Sequence, residues 1–292
     1  MLYLKLIRVN NWIKNLFILL PLFFSGELFN LTKLSNTIFV VVGFSLVTSF
    51  VYIINDIFDI NFDKNHPEKR FRPIASGRIS IKKSVIIGSL LLLIGFSILL
   101  IYSWNVFLIT TIYVGLNLLY SAKLKNVSVI DFVIVAVGFV LRILIGGEIG
   151  DVELTQWMTI MVFLLCLFIA ITKRRYDVYQ FEFNKQINRK VVTRYTVEFM
   201  DKLLSIISST LLVAYLLFIT SEDVLTRYPS KYLMLTFLLV LIGVFRYNQI
   251  TSVDNEGSSP LKILFEDKFL QITLFLWLVT FFFIIYWNKL GL

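Results

Sequence analysis

Long apolar runs, separated by short polar stretches that are rich in Lys and Arg, make up most of the chain. A membrane-spanning helix needs about 20 predominantly apolar residues, and nine runs approach this length. The predicted spans are 12–28, 36–57, 84–104, 105–122, 127–146, 154–172, 202–220, 231–247 and 268–288. The first is the weakest, because Lys14 and Pro21 interrupt it. No small-residue cleavage site follows it, so we interpret it as a retained span and not as a signal peptide.

The basic residues between these runs predict the orientation of the chain. With the N-terminus inside, 23 of the 28 Lys and Arg residues fall in inner segments, four in outer segments, and Arg142 within the fifth span. Cytoplasmic segments of membrane proteins carry such an excess of positive charge. The sequence therefore predicts a cytoplasmic N-terminus and an outer C-terminus.

Composition excludes several other classes of protein. The chain is 58% apolar and 16% charged, with a mean hydropathy of +0.81, which excludes a soluble domain and a disordered chain. The one cysteine, Cys166, lies in an apolar run, so an intrachain disulfide is excluded. The net charge of +9 is concentrated in the inner segments, which favours contact with membrane lipid and no contact with nucleic acid. We predict one all-α, polytopic transmembrane domain over residues 1–292.

An acidic motif follows the second predicted span. Asn55, Asp59 and Asp63 are spaced by four residues, and Asp56 adds a second row that also contains Asp59. On a continuous helix these oxygen atoms would share one face. Neighbouring carboxylates repel each other, and hard oxygen ligands suit Mg²⁺, which commonly binds together with substrate phosphates; Mn²⁺ would fit the same ligands. The alternative is a solvated helix end, which the basic character of the inner segments disfavours.

Basic residues follow the acidic motif directly. Lys69, Arg70 and Arg72 precede Pro73 and Gly77, which we interpret as residues that shape a loop. A divalent ion together with Lys and Arg side chains is a common arrangement for binding a diphosphate. The alternative for any one of these cations is a role in membrane topology alone.

Two further groups of basic residues are candidates for a site. Lys173 and Arg174, followed by Asp177, open the second long inner loop. Arg142 lies within the fifth predicted span, where a charge is costly and by default indicates a functional site. The alternative for Arg142 is that its side chain extends to the outer interface.

The motif Asn55-Asp56-x-x-Asp59-x-x-x-Asp63 after the second of nine spans resembles the UbiA superfamily of membrane prenyltransferases. This resemblance implies a helical bundle with a central cavity, in which aspartate motifs hold Mg²⁺ and a diphosphate. Four more stretches resemble the decaprenyl-phosphate phosphoribosyltransferase branch: Asn11 to Asn15, Lys69 to Gly77, Leu141-Arg142 with Gly146-Gly147, and Arg246-Tyr247. The second aspartate motif of ordinary prenyltransferases is missing, and Lys173, Arg174 and Arg175 occupy its place.

The resemblance implies Mg²⁺-dependent transfer of 5-phosphoribose from phosphoribosyl pyrophosphate to a long-chain polyprenyl phosphate, at the cytoplasmic face of a bacterial inner membrane. Asp56, Asp59 and Asp63 would be catalytic, and Asn55 would join them around the metal ion. The expected substrate-binding residues are Lys14, Tyr52, Lys69, Arg70, Arg72, Tyr120, Lys125, Arg142, Lys173, Arg174 and Arg246. A phosphate monoester is already largely anionic at pH 7, so the reaction requires no general base, which suits a chain with a single histidine.

Two alternatives stay open, and so does the oligomeric state. An ordinary UbiA-type prenyltransferase would use a prenyl diphosphate donor and an aromatic acceptor. A transporter would carry no enzymatic activity, but transporter sites usually lie near the midplane of the membrane. The charged residues of this chain concentrate in the inner segments instead, which disfavours a transporter.

Overall fold

The computed structural model describes residues 2–184, 190–228, 230, 232–257 and 260–290. This part of the chain is helical and contains no β-strand. Lys231, one of the four basic residues assigned to outer segments, lies outside the described residues.

Eight helices are long and apolar enough to cross a membrane. They are α1 (Leu31–Phe58), α2 (Ile81–Tyr102), α3 (Trp104–Ala122), α4 (Ile130–Gly150), α5 (Gln156–Asn184), α6 (Val197–Thr220), α7 (Leu233–Ser252) and α8 (Lys268–Leu290). The first predicted span is instead a 3₁₀ helix, Val9–Leu19, continued by the short α-helix Leu20–Phe24. The prediction of a helical membrane protein is confirmed, whereas the count of nine spans and the orientation stay predictions.

Short helical segments connect these elements: Leu2–Leu6, Ile60–Lys64, Lys69–Phe71, Leu124–Asn126, Lys190–Arg194, Glu222–Arg227 and Pro260–Glu266. Polar caps begin four of the long helices, and the side-chain oxygens of Asn30, Ser80, Ser103 and Thr196 each accept a backbone N–H of the first turn. Such caps satisfy backbone donors that no carbonyl within the helix can reach.

The described chain divides into two compact units, residues 1–154 and 155–292. In the first unit, α1 packs against α2 through small residues, and a Cβ atom on Gly95 would lie 2.7 Å from the carbonyl oxygen of Gly43. Phe44, Tyr113 and Ile145 belong to the buried core of this unit. In the second unit, α6 packs against α5 and α7, and α7 packs against α8.

Helix α5 continues to Asn184, well beyond the predicted end of the sixth span at residue 172. The expectation that Lys173 and Arg174 open a loop is therefore wrong, since both residues are helical. The stretch 173–184 contains neither Gly nor Pro, and Arg174 pairs with Asp177 one turn later, so its local propensity favours the helix.

Candidate functional site

The aspartate motif lies where α1 ends. The helix ends at Phe58, Asp59 follows it, and the short helix Ile60–Lys64 contains Asp63. Backbone hydrogen bonds from Asp59 N to Asn55 O (2.9 Å) and from Asp63 N to Asp59 O (2.8 Å) keep a nearly helical register across the break.

Arg72 joins two of the three aspartates. Its Nη1 atom donates to Asp63 Oδ2 at 2.6 Å and to Asp56 Oδ1 at 3.1 Å. Arg8, from the start of the chain, also donates to Asp56 Oδ1 and lies over the Tyr52 ring at 5.2 Å. Both carboxylates are buried, so two guanidinium groups compensate charges that water does not reach.

Asp59 has a different set of partners. Lys125, which follows α3, forms an ion pair with Asp59 Oδ1. Asn55 Nδ2 donates to Asp59 Oδ2 at 3.1 Å, and Ser121 Oγ donates to Asn55 Oδ1 at 3.1 Å. The sequence predicted that these oxygen atoms share one helix face, but the structure divides them into two groups. Asp59 turns toward the end of α3, whereas Asp56 and Asp63 meet at Arg72.

The donor set is compatible with a magnesium ion, although its arrangement is not a three-acid cage. Within the described ranges, no group of three or more His, Cys, Asp or Glu side chains is close enough to hold a metal ion. Mg²⁺ is usually held by only one or two protein carboxylates, with waters and substrate phosphates completing its shell. The pair Asp56 and Asp63, or Asp59 with the amide oxygen of Asn55, offers the hard oxygen ligands that such a site needs.

His66 organises the turn that follows the aspartates. Its Nδ1 atom accepts the backbone N–H groups of Glu68 (3.2 Å) and Lys69 (3.3 Å). Partial burial, together with the nearby charge of Lys69, lowers the pKa of His66, which favours the neutral ring that accepts these bonds. The histidine thus has a structural role in holding Lys69 and its neighbours.

Gly77 shapes the loop, as predicted from the sequence. Its φ of 75° lies in the left-handed region, which glycine adopts without strain. Arg70 is exposed, and its guanidinium lies 4.8 Å from the centre of the Phe71 ring. Lys14, in the first 3₁₀ helix, and Tyr120, at the end of α3, are half-buried.

Arg142 lies inside the first unit with only 4% of its surface exposed. Its donors bond to Asn15 Oδ1 (3.0 Å), the carbonyl of Gly138 (2.7 Å) and the hydroxyl of Tyr113 (3.0 Å). These internal partners exclude the alternative that the side chain extends to the outer interface.

In the second unit, two adjacent arginines of α5 have different surroundings. Arg174 Nη1 donates to Asp177 Oδ2 at 2.8 Å, within the same helix. Arg175, 4% exposed, donates to the Asp201 carboxylate of α6, to Asn255 Oδ1 and to the carbonyl of Thr251. Lys173 is exposed.

Arg246 near the end of α7 is held by an acidic residue. Its Nε and Nη2 atoms donate to Asp267 Oδ2 at 3.1 and 2.7 Å, and Nη1 donates to Gln249 Oε1 at 2.8 Å. The hydrogen bonds from Arg246 lower the pKa of Asp267. An anionic substrate at Arg246 would have to compete with this carboxylate.

Sequence reasoning missed two residues of the aspartate site, Arg8 and Ser121. Arg8 entered only the count of inner charges, and its direct contact with Asp56 had no signal beyond its place before the first span. Ser121 follows Tyr120 in an apolar stretch, where a single hydroxyl carries no recognisable pattern.

The fold and this site define a class: a polytopic helical membrane protein with an aspartate motif at the end of its first long helix, neutralised by basic side chains. A sequence profile described as the UbiA prenyltransferase family matches residues 16–279. The chain belongs to this family of transferases.

Individual relatives agree with this assignment. The chain is 30% identical to a decaprenyl-phosphate phosphoribosyltransferase of Mycolicibacterium smegmatis over 95% of this chain and 90% of the relative. It is 27% identical to a protein of the same name from Corynebacterium glutamicum, over 94% and 83% of the two chains. A UbiA homologue from Archaeoglobus fulgidus, solved with GPP and Mg²⁺, shares the fold with a TM-score of 0.73 and 21% identity, covering 98% of this chain and 99% of that one.

Proposed function

We propose that this protein transfers 5-phosphoribose from phosphoribosyl pyrophosphate to a long-chain polyprenyl phosphate and requires Mg²⁺. The products are diphosphate and polyprenylphosphoryl-5-phosphoribose. The observation that carries the proposal is the pair Lys173 and Arg174, which stands where ordinary prenyltransferases have a second aspartate motif. The similarity to two named phosphoribosyltransferases over most of the chain supports the same conclusion.

The charge of the reactants explains why bases would replace acids. A prenyl transfer handles one diphosphate, whereas the phosphoribosyl reaction brings together a diphosphate, a 5-phosphate and a lipid phosphate. Extra anionic groups require extra cations, which Lys173 and Arg174 of α5 supply. We assign this pair to the acceptor phosphate or to the 5-phosphate of the donor.

The residues of the first unit would bind the leaving diphosphate. We assign Asn55, Asp56, Asp59 and Asp63 to the divalent ion, which when bound supplies positive charge against the leaving group. Arg72 and Lys125 already contact these carboxylates, so they are placed to exchange a carboxylate oxygen for a phosphate oxygen as the donor binds.

The remaining assignments concern further basic and aromatic side chains. Lys69 and Arg70 would add charge to the diphosphate. The other expected substrate contacts, which stay part of the proposal, are Lys14, Tyr52, Tyr120 and Arg246. The internal hydrogen-bond partners of Arg142 favour a different role for this residue.

The chemical step needs no proton acceptor. The bond between ribose C1 and the diphosphate oxygen breaks, and an oxygen of the lipid phosphate forms the new bond to C1. The lipid phosphate is largely anionic at pH 7, because the second pKa of a phosphate monoester is about 6. The polyprenyl chain would lie in the membrane, along apolar surfaces of the spans that are rich in Phe.

Mass spectrometry of lipid products tests the proposal directly. Purified protein is incubated with phosphoribosyl pyrophosphate, Mg²⁺ and a polyprenyl phosphate, and we expect a lipid whose mass has increased by one phosphoribosyl group. Chelation of the metal should abolish this product. A parallel reaction with a prenyl diphosphate and an aromatic acceptor should give none, and product formation only in that reaction would establish the ordinary prenyltransferase instead.

A soluble sugar donor also requires that the site face the cytoplasm. In a Cys166→Ala background, a cysteine replacing exposed Asn65 should react with an impermeant thiol reagent only after the membrane is opened. A cysteine replacing exposed Glu153 should react in intact cells. The reverse pattern would overturn the predicted orientation.

A further inference from the structure

The N-terminal apolar segment, Val9–Phe24, is shorter than an ordinary membrane span. Its first 11 residues form a 3₁₀ helix, which rises about 2.0 Å per residue, and the next five form an α-helix, which rises about 1.5 Å per residue. The segment therefore extends over about 30 Å, which matches the hydrocarbon core of a bilayer. Because 3₁₀ helices longer than about four residues are uncommon, this conformation requires support from its neighbours.

Polar side chains attach this segment to α1 in antiparallel order, and we name them the polar ladder. Arg8, directly before the segment, donates to Asp56. Farther along, Trp12 Nε1 donates to Ser49 Oγ (3.0 Å), and Asn15 Nδ2 donates to Ser45 Oγ (2.9 Å) and Thr48 Oγ1 (3.2 Å). Hydrogen bonds in an apolar interior fix relative position, since leaving either partner unpaired is costly. The polar ladder therefore sets the register between the segment and the aspartate site.

Close backbone packing supports the same register. A Cβ atom on Gly146 of α4 would lie 2.0 Å from the carbonyl oxygen of Ile18, so only glycine permits this approach. The segment is thus seated against α4 as well as against α1.

Arg142 of α4 holds the end of the polar ladder that lies farther from the aspartate site. Its Nε atom donates to Asn15 Oδ1, which orients the amide so that Nδ2 faces Ser45 and Thr48. The guanidinium also lies about 5 Å from the rings of Phe44, Tyr113 and Phe139, at 5.3, 4.9 and 5.0 Å. The guanidinium group therefore contacts an amide, a carbonyl, a hydroxyl and three aromatic rings.

We propose that Arg142 is a positioning residue. It fixes Asn15, and through the polar ladder it fixes the N-terminal segment so that Arg8 meets Asp56. The inference rests on the proposed function only in treating Asp56 as part of the site. It replaces the direct substrate contact expected for Arg142 from the sequence.

Hydrogen–deuterium exchange of the substrate-free protein tests this role. Arg142→Lys and Arg142→Met should each raise the exchange of the amides of residues 9–19 by roughly tenfold or more, because the segment loses its anchor. Exchange in α6 should not change. Arg227→Met, which removes an exposed arginine, is the matched control and should leave both regions as in the wild type.

Activity measurements separate positioning from substrate contact. If Arg142 acts through position, Lys should fail as badly as Met, because one ammonium group cannot reach three acceptors, and the loss should fall mainly on kcat. Unchanged exchange at residues 9–19, with a raised KM for the donor that Lys restores, would overturn the proposal.

Asn15→Ala keeps the charge of Arg142 and provides a second test should the Arg142 variants fail to fold. It should reproduce the raised exchange at residues 9–19, and an unchanged exchange pattern in this variant would also overturn the proposal. Because these exchange measurements use no substrate, failure of the phosphoribosyl reaction would leave their result interpretable.

Discussion

The aspartate motif at the end of α1 and the basic pair within α5 carry opposite charges, and these charges are compensated in different ways. Carboxylates at the C-terminus of a helix face the negative end of its dipole and repel one another. Three cations compensate Asp56, Asp59 and Asp63: Arg72 from the loop that follows the motif, and Arg8 and Lys125 from more distant stretches. The basic residues of α5 lie within a continuing helix, and Arg174 pairs with a carboxylate one turn away.

The sign of a charge alone therefore does not reveal the role of a residue. Arg174 and Arg175 are adjacent, but Arg175 joins α5 to α6 and to the end of α7, whereas the ion pair of Arg174 stays within its own helix. Release of Arg174 toward a phosphate would break an ion pair within one helix. Release of Arg175 would break contacts between helices, so we assign it a structural role.

Substitution of an aspartate in the acidic motif should have the largest effect on activity. Asp59→Ala should lower activity by about 10³-fold or more, since it removes a proposed metal ligand and the partner of Lys125. Thermal stability should change little, and turnover assays with a melting measurement check both. Asp223→Ala, at an exposed acid, is the control, and full activity of the Asp59 variant would refute the metal assignment.

Substitution of the basic pair in α5 should have the next largest effect on activity. Lys173→Ala and Arg174→Ala should each reduce kcat/KM by roughly 10- to 150-fold, the kinetic equivalent of one charge-assisted contact that acts in the transition state. Expression should stay normal, because the predicted orientation rests on 23 basic residues and the loss of one leaves the excess of charge in place. Exposed Lys190→Ala is the matched control, and equal behaviour of all three variants would reduce the basic pair to a topology signal.

The contrast between the adjacent arginines predicts a loss of stability without a loss of substrate binding. Arg175→Lys should lower the free energy of unfolding by about 2 kcal/mol, because an ammonium cannot bond to Asp201, Thr251 and Asn255 together. Arg174→Lys should cost less. Melting curves of the two variants in the same detergent provide the test, and a larger loss for Arg174→Lys would reverse the assignment.

The smallest effect concerns the half-buried ion pair of Arg246 and Asp267. The lowered pKa of Asp267 means that its contribution to stability is present above the ordinary carboxyl value of 3.8 and is lost as the pH falls through the lowered value. Asp267→Asn should therefore shift the melting temperature slightly and constantly from pH 5 to 8, and the shift should vanish in strong acid. A shift that instead grows on acidification would contradict the ion pair.

The first unit shows how far sequence reasoning reaches into the site. The acidic motif, the basic loop and Gly77 were each predicted, because these features are local in sequence. The break at Asp59 was not predicted, and the resulting division of the carboxylates depends on Lys125, which lies 66 residues away. The second unit shows the same limit, since the continuation of α5 beyond residue 172 was expected to be a loop.

The apolar spans, the uneven distribution of charge and the motif of the family can all be recognised in the amino-acid sequence. Each of these features depends on composition and spacing within about one helix. A segment in lipid must satisfy its own backbone hydrogen bonds, so a long apolar run is enough to predict a membrane-spanning helix. Only in the folded chain does Arg8 meet Asp56, Arg175 bond to Asp201 and Arg142 face Asn15. These contacts join residues 26 to 127 positions apart, and packing between helices brings them together where no local pattern records it.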